Sequence, residues 1–164
     1  MREIKFRAWD KKYNEMVRVS MLDTKREHGD SAIYIVDQTK RDDAKDNVGH
    51  YPQDYELMQY TGLKDSTKWK DLTEEERTQW IKGGNRPSEW KGKKVYEGDI
   101  VDYLCAEYHD PEISSTPDII DSGQGEIYYL KYSYEIKGAE FPPDCYELRI
   151  IGNIYESPEL LENK

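Results

Sequence analysis

Large aliphatic side chains are scarce in this chain. Leucine, isoleucine, valine and phenylalanine together supply 30 of 164 residues, and only two of these are phenylalanine. With 35% charged residues and a net charge of −10, so thin an aliphatic content leans towards disorder. No apolar run approaches the roughly 20 residues that span a bilayer, so no membrane segment is expected. Met1-Arg2-Glu3-Ile4-Lys5 has no apolar stretch of the kind a secretory signal needs. The two cysteines, Cys105 and Cys145, are too few for a disulfide framework. They are expected as free thiols in a cytoplasmic protein. C-x-x-C, H-x-x-x-H, G-x-S-x-G and Walker patterns are all missing from the sequence, which leaves the common zinc, acyl-transfer and nucleotide-binding motifs unsupported.

Aromatic residues oppose the drift to disorder. The chain has 14 tyrosines and 4 tryptophans, rings that bury a large area while a polar tip reaches water or a partner. Tyrosine-rich, leucine-poor usage suits pleated, half-buried strands better than helices. An ordered, mainly β protein with a thin core of Ile, Val and Tyr is expected. The charge is uneven. Residues 1–27 carry a balance of +3, residues 28–96 one of −1, and residues 97–164 one of −12. The acidic C-terminal half repels phosphate backbones.

Period-2 patterning locates the strands. Ile4, Phe6 and Ala8 alternate with Glu3, Lys5 and Arg7 over Arg2–Trp9, as in a half-buried strand. The turn formers of Asp10–Asn14 then lead into Met16–Leu22, so the two segments read as a hairpin. Ala32–Val36 and Tyr55–Thr61 are further strands, the second closed by Gly62. Gln38–Pro52 and His109–Gly125 read as loops. Ile100–Tyr108 follows a Gly98-Asp99 turn. Gly125–Gly138 reads as one long strand with Tyr128, Leu130, Tyr132, Tyr134 and Ile136 on a single face. Tyr146–Tyr155 is the last strand. Ser157-Pro158 opens a short C-terminal helical turn, with serine as N-cap and proline at the first helical position.

Residues 66–92 differ. Thr73-Glu74-Glu75-Glu76 fits a capping box ahead of a short helix over 73–82. Three glutamates suit the positive end of its dipole, Lys82 the negative end, and Gly83-Gly84 the stop. So short a helix must dock, and Trp80, flanked by Trp69 and Trp90, is the expected means. The chain reads as one compact unit over 1–164, with sub-domains over 1–62 and 93–156 joined by this helical insertion.

Four blocks then stand in order: Arg2–Asp10 (REIKFRAWD), Leu57–Asp65 (LMQYTGLKD), Gly92–Val101 (GKKVYEGDIV) and Ile151–Leu161 (IGNIYESPELL). They resemble the signature blocks of the YopX family, small proteins of bacteriophages and prophages. The resemblance implies a half-barrel or meander followed by an SH3-like barrel, and a phage or prophage origin. It implies no activity and no catalytic residues, so no site carries over. One departure is plain: the family links its second and third blocks by a short turn, whereas Ser66–Trp90 intervenes here.

The reactive side chains form no convincing site. Cys105 and His109, with Cys145 and Asp110, would have to converge on zinc, yet i and i+4 on a strand lie roughly 13 Å apart. A Cys/His nucleophile pair meets the same limit, and His28 and His50 lie in polar stretches. Asp110, Glu112, Asp118 and Asp121 lack the ligand order of a calcium loop. Glu97 and Asp99 flank a Gly-Asp turn, where a carboxylate caps backbone amides. Tyr128, Tyr132 and Tyr134 could stack single-stranded bases only beside a positive groove. Lys131 and Lys137 there face Glu126, Glu135 and Glu140. No catalytic residue, metal or cofactor is expected.

Three functional readings are left. The first is a non-catalytic module that binds a host, phage or identical protein through tyrosine and tryptophan surface. The second is association with nucleic acid through Arg2, Lys5, Arg7, Lys11 and Lys12, or mimicry of DNA by the acidic half. The third, an enzyme, has least in its favour.

Overall fold

The computed structural model describes residues 4–23, 32–35, 54–107 and 117–162. Within them nine strands and one α-helix form two compact units, residues 1–60 and 61–164. The mainly β expectation holds.

In the first unit, β1 (Phe6–Asp10) pairs antiparallel with β2 (Glu15–Asp23) and with β4 (Tyr55–Lys64). On the other side of β2 lies β3 (Ala32–Ile35). The predicted N-terminal hairpin is present, with Ala8 opposite Val17. Its turn forms because the Asp10 carboxylate accepts from the amides of Lys12 and Tyr13, at 2.9 and 3.1 Å. Asn14, at φ +52, takes a left-handed conformation that asparagine tolerates. Ala8, Val17 and Tyr55 make a small core, with Leu57 packed against it. Ile4, expected on the core face, precedes the strand and is exposed.

The strand expected to close at Gly62 runs on to Lys64. Gly62 sits inside it at φ +93, and the Thr61 hydroxyl steadies the irregularity. It accepts from the Leu63 amide and donates to the Val95 carbonyl, at 3.1 and 2.8 Å. In the second unit this end of β4 lies beside β5 (Lys94–Tyr96). A four-stranded antiparallel sheet follows, ordered β8 (Ser133–Ile136), β7 (Asp118–Leu130), β6 (Asp99–Glu107), β9 (Glu147–Asn153). Its core is Val95, Val101, Tyr103, Ile127, Tyr134, Ile136, Tyr146 and Leu148, the Ile, Val and Tyr mixture that the composition implied. Gly98, at φ +78, makes the turn into β6, and Asp99 caps it by accepting from the Tyr96 amide at 2.7 Å.

Two strand expectations need correction. The segment His109–Gly125 is not all loop, because β7 begins at Asp118; residues 109–116 lie outside the described set. The segment Gly125–Gly138 is not one strand. The chain reverses at Lys131-Tyr132, and Ile127 pairs with Ile136, Tyr129 with Tyr134 and Leu130 with Ser133.

The insertion 66–92 is a closed excursion. Helix α1 (Glu74–Lys82) has its capping box complete: the Thr73 amide donates to Glu76 at 2.8 Å, and the Glu76 amide donates to the Thr73 hydroxyl at 3.2 Å. Trp90 meets Trp80 and Trp69 edge to face, with centroids 5.0 and 6.2 Å apart. Its indole N–H donates to the Thr67 carbonyl at 2.8 Å. The Lys93 ammonium reaches Glu76 at 2.7 Å. Both ends of the excursion meet at buried Asp65, whose Oδ1 accepts from the amides of Thr67 and Lys93 at 3.1 and 2.6 Å. Its Oδ2 accepts from the Thr67 hydroxyl at 2.6 Å. Replacing Thr73 with alanine removes an N-cap worth about 1 kcal/mol. We expect lost helical circular dichroism with little change in strand signal. The expected C-terminal turn exists as a 3-10 turn at Pro158–Leu161, but the Ser157 side chain makes no cap bond.

Candidate functional site

Of the basic N-terminal set, Arg2 lies outside the described residues. Lys5 is exposed and Arg7 half-buried. Lys11 is 2.6 Å from Glu56, and Lys12 lies over the Tyr13 ring. The fold therefore gives Lys11 and Lys12 local partners.

His28, His50, His109, Asp110 and Glu112 all lie outside the described residues. Both cysteines are free thiols. Cys105 packs against the core of the second unit, and burial, then Cys145 and Asp121, push its thiol up from the ordinary value. A raised thiol holds less thiolate at neutral pH and is a poorer nucleophile. Asp121, opposite Cys105 in the register, binds the Tyr146 hydroxyl and accepts from the Glu140 amide at 3.0 Å. The Tyr146 oxygen in turn accepts from the Phe141 amide at 2.9 Å. This cluster fastens residues 140–146 to β7. The bond from Tyr146, followed by the amides, holds Asp121 below the ordinary carboxylate value. Burial, then the bond to Asp121, raises Tyr146 to about 12.

The folded state thus keeps the Tyr146 proton past the ordinary value of 10.0. Stability is full below about pH 10 and falls as pH rises towards about 12. The Tyr146→Phe protein is expected to be less stable at pH 7 and to show a smaller fall over that alkaline window. Thermal melts across the range check both. Glu97 is half-buried, and buried Asp99 serves the turn as a cap. Among the described residues, no group of three or more His, Cys, Asp or Glu side chains could hold a metal ion.

The tyrosine stripe divides. In a hairpin whose paired positions sum to an odd number, odd residues of one strand share a face with even residues of the other. Ile127 and Tyr129 therefore share the core-side face with Ile136 and Tyr134. Tyr128 and Leu130 lie on the opposite face. Tyr134 is buried and meets Tyr129 edge to face at 5.1 Å. Tyr128 is half-buried and its hydroxyl donates to Glu135 at 3.1 Å.

The tip of the hairpin faces solvent. Tyr132 is 94% exposed, Tyr129 51% and Leu130 40%. Lys131 holds the turn at φ +55, a conformation that is strained for a side chain without a local hydrogen bond of its own. Two further apolar side chains on β7, Ile119 and Ile120, are exposed near its start. The register shifts there, leaving Ile120 as an extra residue between Ala106↔Ile119 and Cys105↔Asp121.

The fold and this surface define a mainly β protein whose most exposed aromatic side chain among the described residues stands at a hairpin tip. Residues 5–77 match the model of the family described as YopX protein, which bears out the resemblance over that stretch. The match ends inside α1, so the third and fourth resembling blocks lie beyond it. A crystal structure of protein EF1440 from Enterococcus faecalis is similar at 22% identity, covering 98% of this chain and 99% of that chain, with a TM-score of 0.49. No curated protein matches the chain. No helix among the described residues is long and apolar enough to cross a membrane.

Proposed function

We propose that this is a non-catalytic protein-interaction module of phage or prophage origin, and that a protein partner docks on the β7–β8 hairpin tip. The observation that carries the reading is the exposure of Tyr129, Leu130 and Tyr132 around one hairpin tip. Tyrosine supplies large contact area for little lost side-chain freedom, and interface centres are enriched in it. The acidity of residues 97–164 favours a protein over a nucleic acid as partner. Free thiols at Cys105 and Cys145 support a reducing, cytoplasmic setting. The partner is of host or phage origin, or is a second copy of the chain.

Affinity capture from host cells, run in parallel with the wild-type and Tyr132→Ser proteins, tests this. An exposed side chain adds little to stability, so the variant is expected to melt with the wild type. A captured partner is expected to weaken by about 2 kcal/mol or more, as for a central interface residue. Equal retention by both proteins sinks the reading.

A further inference from the structure

Among the described residues, the four-stranded sheet leaves part of one strand edge without a strand beside it. β7 pairs with β6 from Asp118 to Glu126 on one side. On its other side, β8 covers only Ile127–Leu130, and the Lys137 amide extends this to the Glu126 carbonyl. From Ile119 to Gly123 no strand lies along that outer edge among the described residues. Segment 137–141 does not fill the place. Lys137 O stands over the face of β7 at Gly125, and the Glu140 amide is drawn to the Asp121 side chain.

We propose, on the reading that this is a protein-interaction module, that this edge accepts a basic, extended peptide of the partner as an added strand. Backbone groups give such pairing its affinity and alternate side chains its selectivity. Charge chooses the occupant. In β6 and β7 Glu107 stands directly opposite Asp118, and both are exposed. Asp121 follows along β7, its carboxylate shared with Tyr146 and the Glu140 amide; the main pull on a cation comes from Asp118 at the head of the open stretch. A second β7 laid against this edge would set carboxylates near carboxylates, an arrangement that destabilises a strand pair. Lysine or arginine at alternate positions reverses the sign. Exposed Ile119 and Ile120 offer apolar contact to the residues between, and the extra residue at Ile120 confines regular pairing to the positions that follow.

The test uses the full chain and a synthetic peptide of alternating lysine and valine. Hydrogen exchange is followed by mass spectrometry with and without the peptide. The expected result is slowing of about tenfold or more within 121–123, as new backbone bonds protect the edge, with the effect fading as salt is raised. The same peptide N-methylated at alternate residues, which cannot pair as a strand, is expected to give no protection. An alternating glutamate–valine peptide should also give none. The Asp118→Lys protein, altered at an exposed side chain of β7 itself, should lose protection by the lysine peptide while retaining its melting temperature. No protection, equal protection by the methylated peptide, or protection unchanged in Asp118→Lys would overturn the proposal. These results are independent of the Tyr132→Ser capture, so the edge can fail while the hairpin-tip reading stands.

Discussion

Gly92→Ala is expected to lower the melting temperature by roughly 6–12 °C, from a loss of about 3 kcal/mol in a chain of this size. Two effects combine. Gly92 has φ +96, and a Cβ there would lie 1.9 Å from the Asp65 carbonyl oxygen. That oxygen is backbone within the clamp that closes the insertion, so it cannot swing aside as a flexible side chain would. Gly84 supplies the control. It has φ +81 but nothing within 4 Å of a Cβ, so Gly84→Ala is expected to cost only the backbone term, about 1 kcal/mol. Thermal melts of both proteins by circular dichroism separate the clash from the dihedral strain. Equal losses would mean that the close approach to Asp65 contributes nothing.

Asp65→Ala should cost about 2–4 kcal/mol, since it strips a charged acceptor from two amides and a hydroxyl at a buried site. Asp65→Asn keeps one carbonyl acceptor and should cost less. The clamp is a single unit, so the Asp65→Ala and Gly92→Ala losses are expected to sum to more than the double variant shows. Denaturant melts of the two single variants and the double variant measure this. Strict additivity would indicate that the two ends of the insertion are held independently.

How much of this could be read beforehand varies from residue to residue. The capping box at Thr73 and Glu76 was legible because it is written within four adjacent residues and depends on nothing distant. The tryptophan trio was legible because a short helix with one apolar patch has few ways to dock. The Asp65 clamp was not, because its partners Thr67 and Lys93 meet only after the excursion closes, and an aspartate after a lysine carries no local mark of burial. The hairpin at Lys131-Tyr132 was hidden for another reason. Its turn has no glycine, asparagine or proline, the usual markers, and tyrosines on both sides continue an apparent alternation through it. The pattern therefore implies one face where there are two, and groups exposed Tyr132 with buried Tyr134. The start of β7 at Asp118 was masked by the acidic residues around it, although Ile119 and Ile120 carry strand propensity.

The hairpin reversal relocates the proposed interaction surface. A stripe along one strand would be wholly core or wholly interface. The hairpin instead buries Tyr134 and leaves Tyr132 at its tip, so the fold and the proposed partner use different tyrosines. Substitution at Tyr132 can thus be read as a binding effect, free of the stability changes that Tyr134 or Tyr146 would bring.

The most direct measurement places a photo-crosslinking phenylalanine analogue at position 132, and in a second protein at Tyr13, an exposed tyrosine of the first unit. Both proteins are expressed in the host and illuminated. The account predicts a crosslinked protein partner through position 132 and none through position 13. Crosslinks through position 13 with none through position 132 would contradict it.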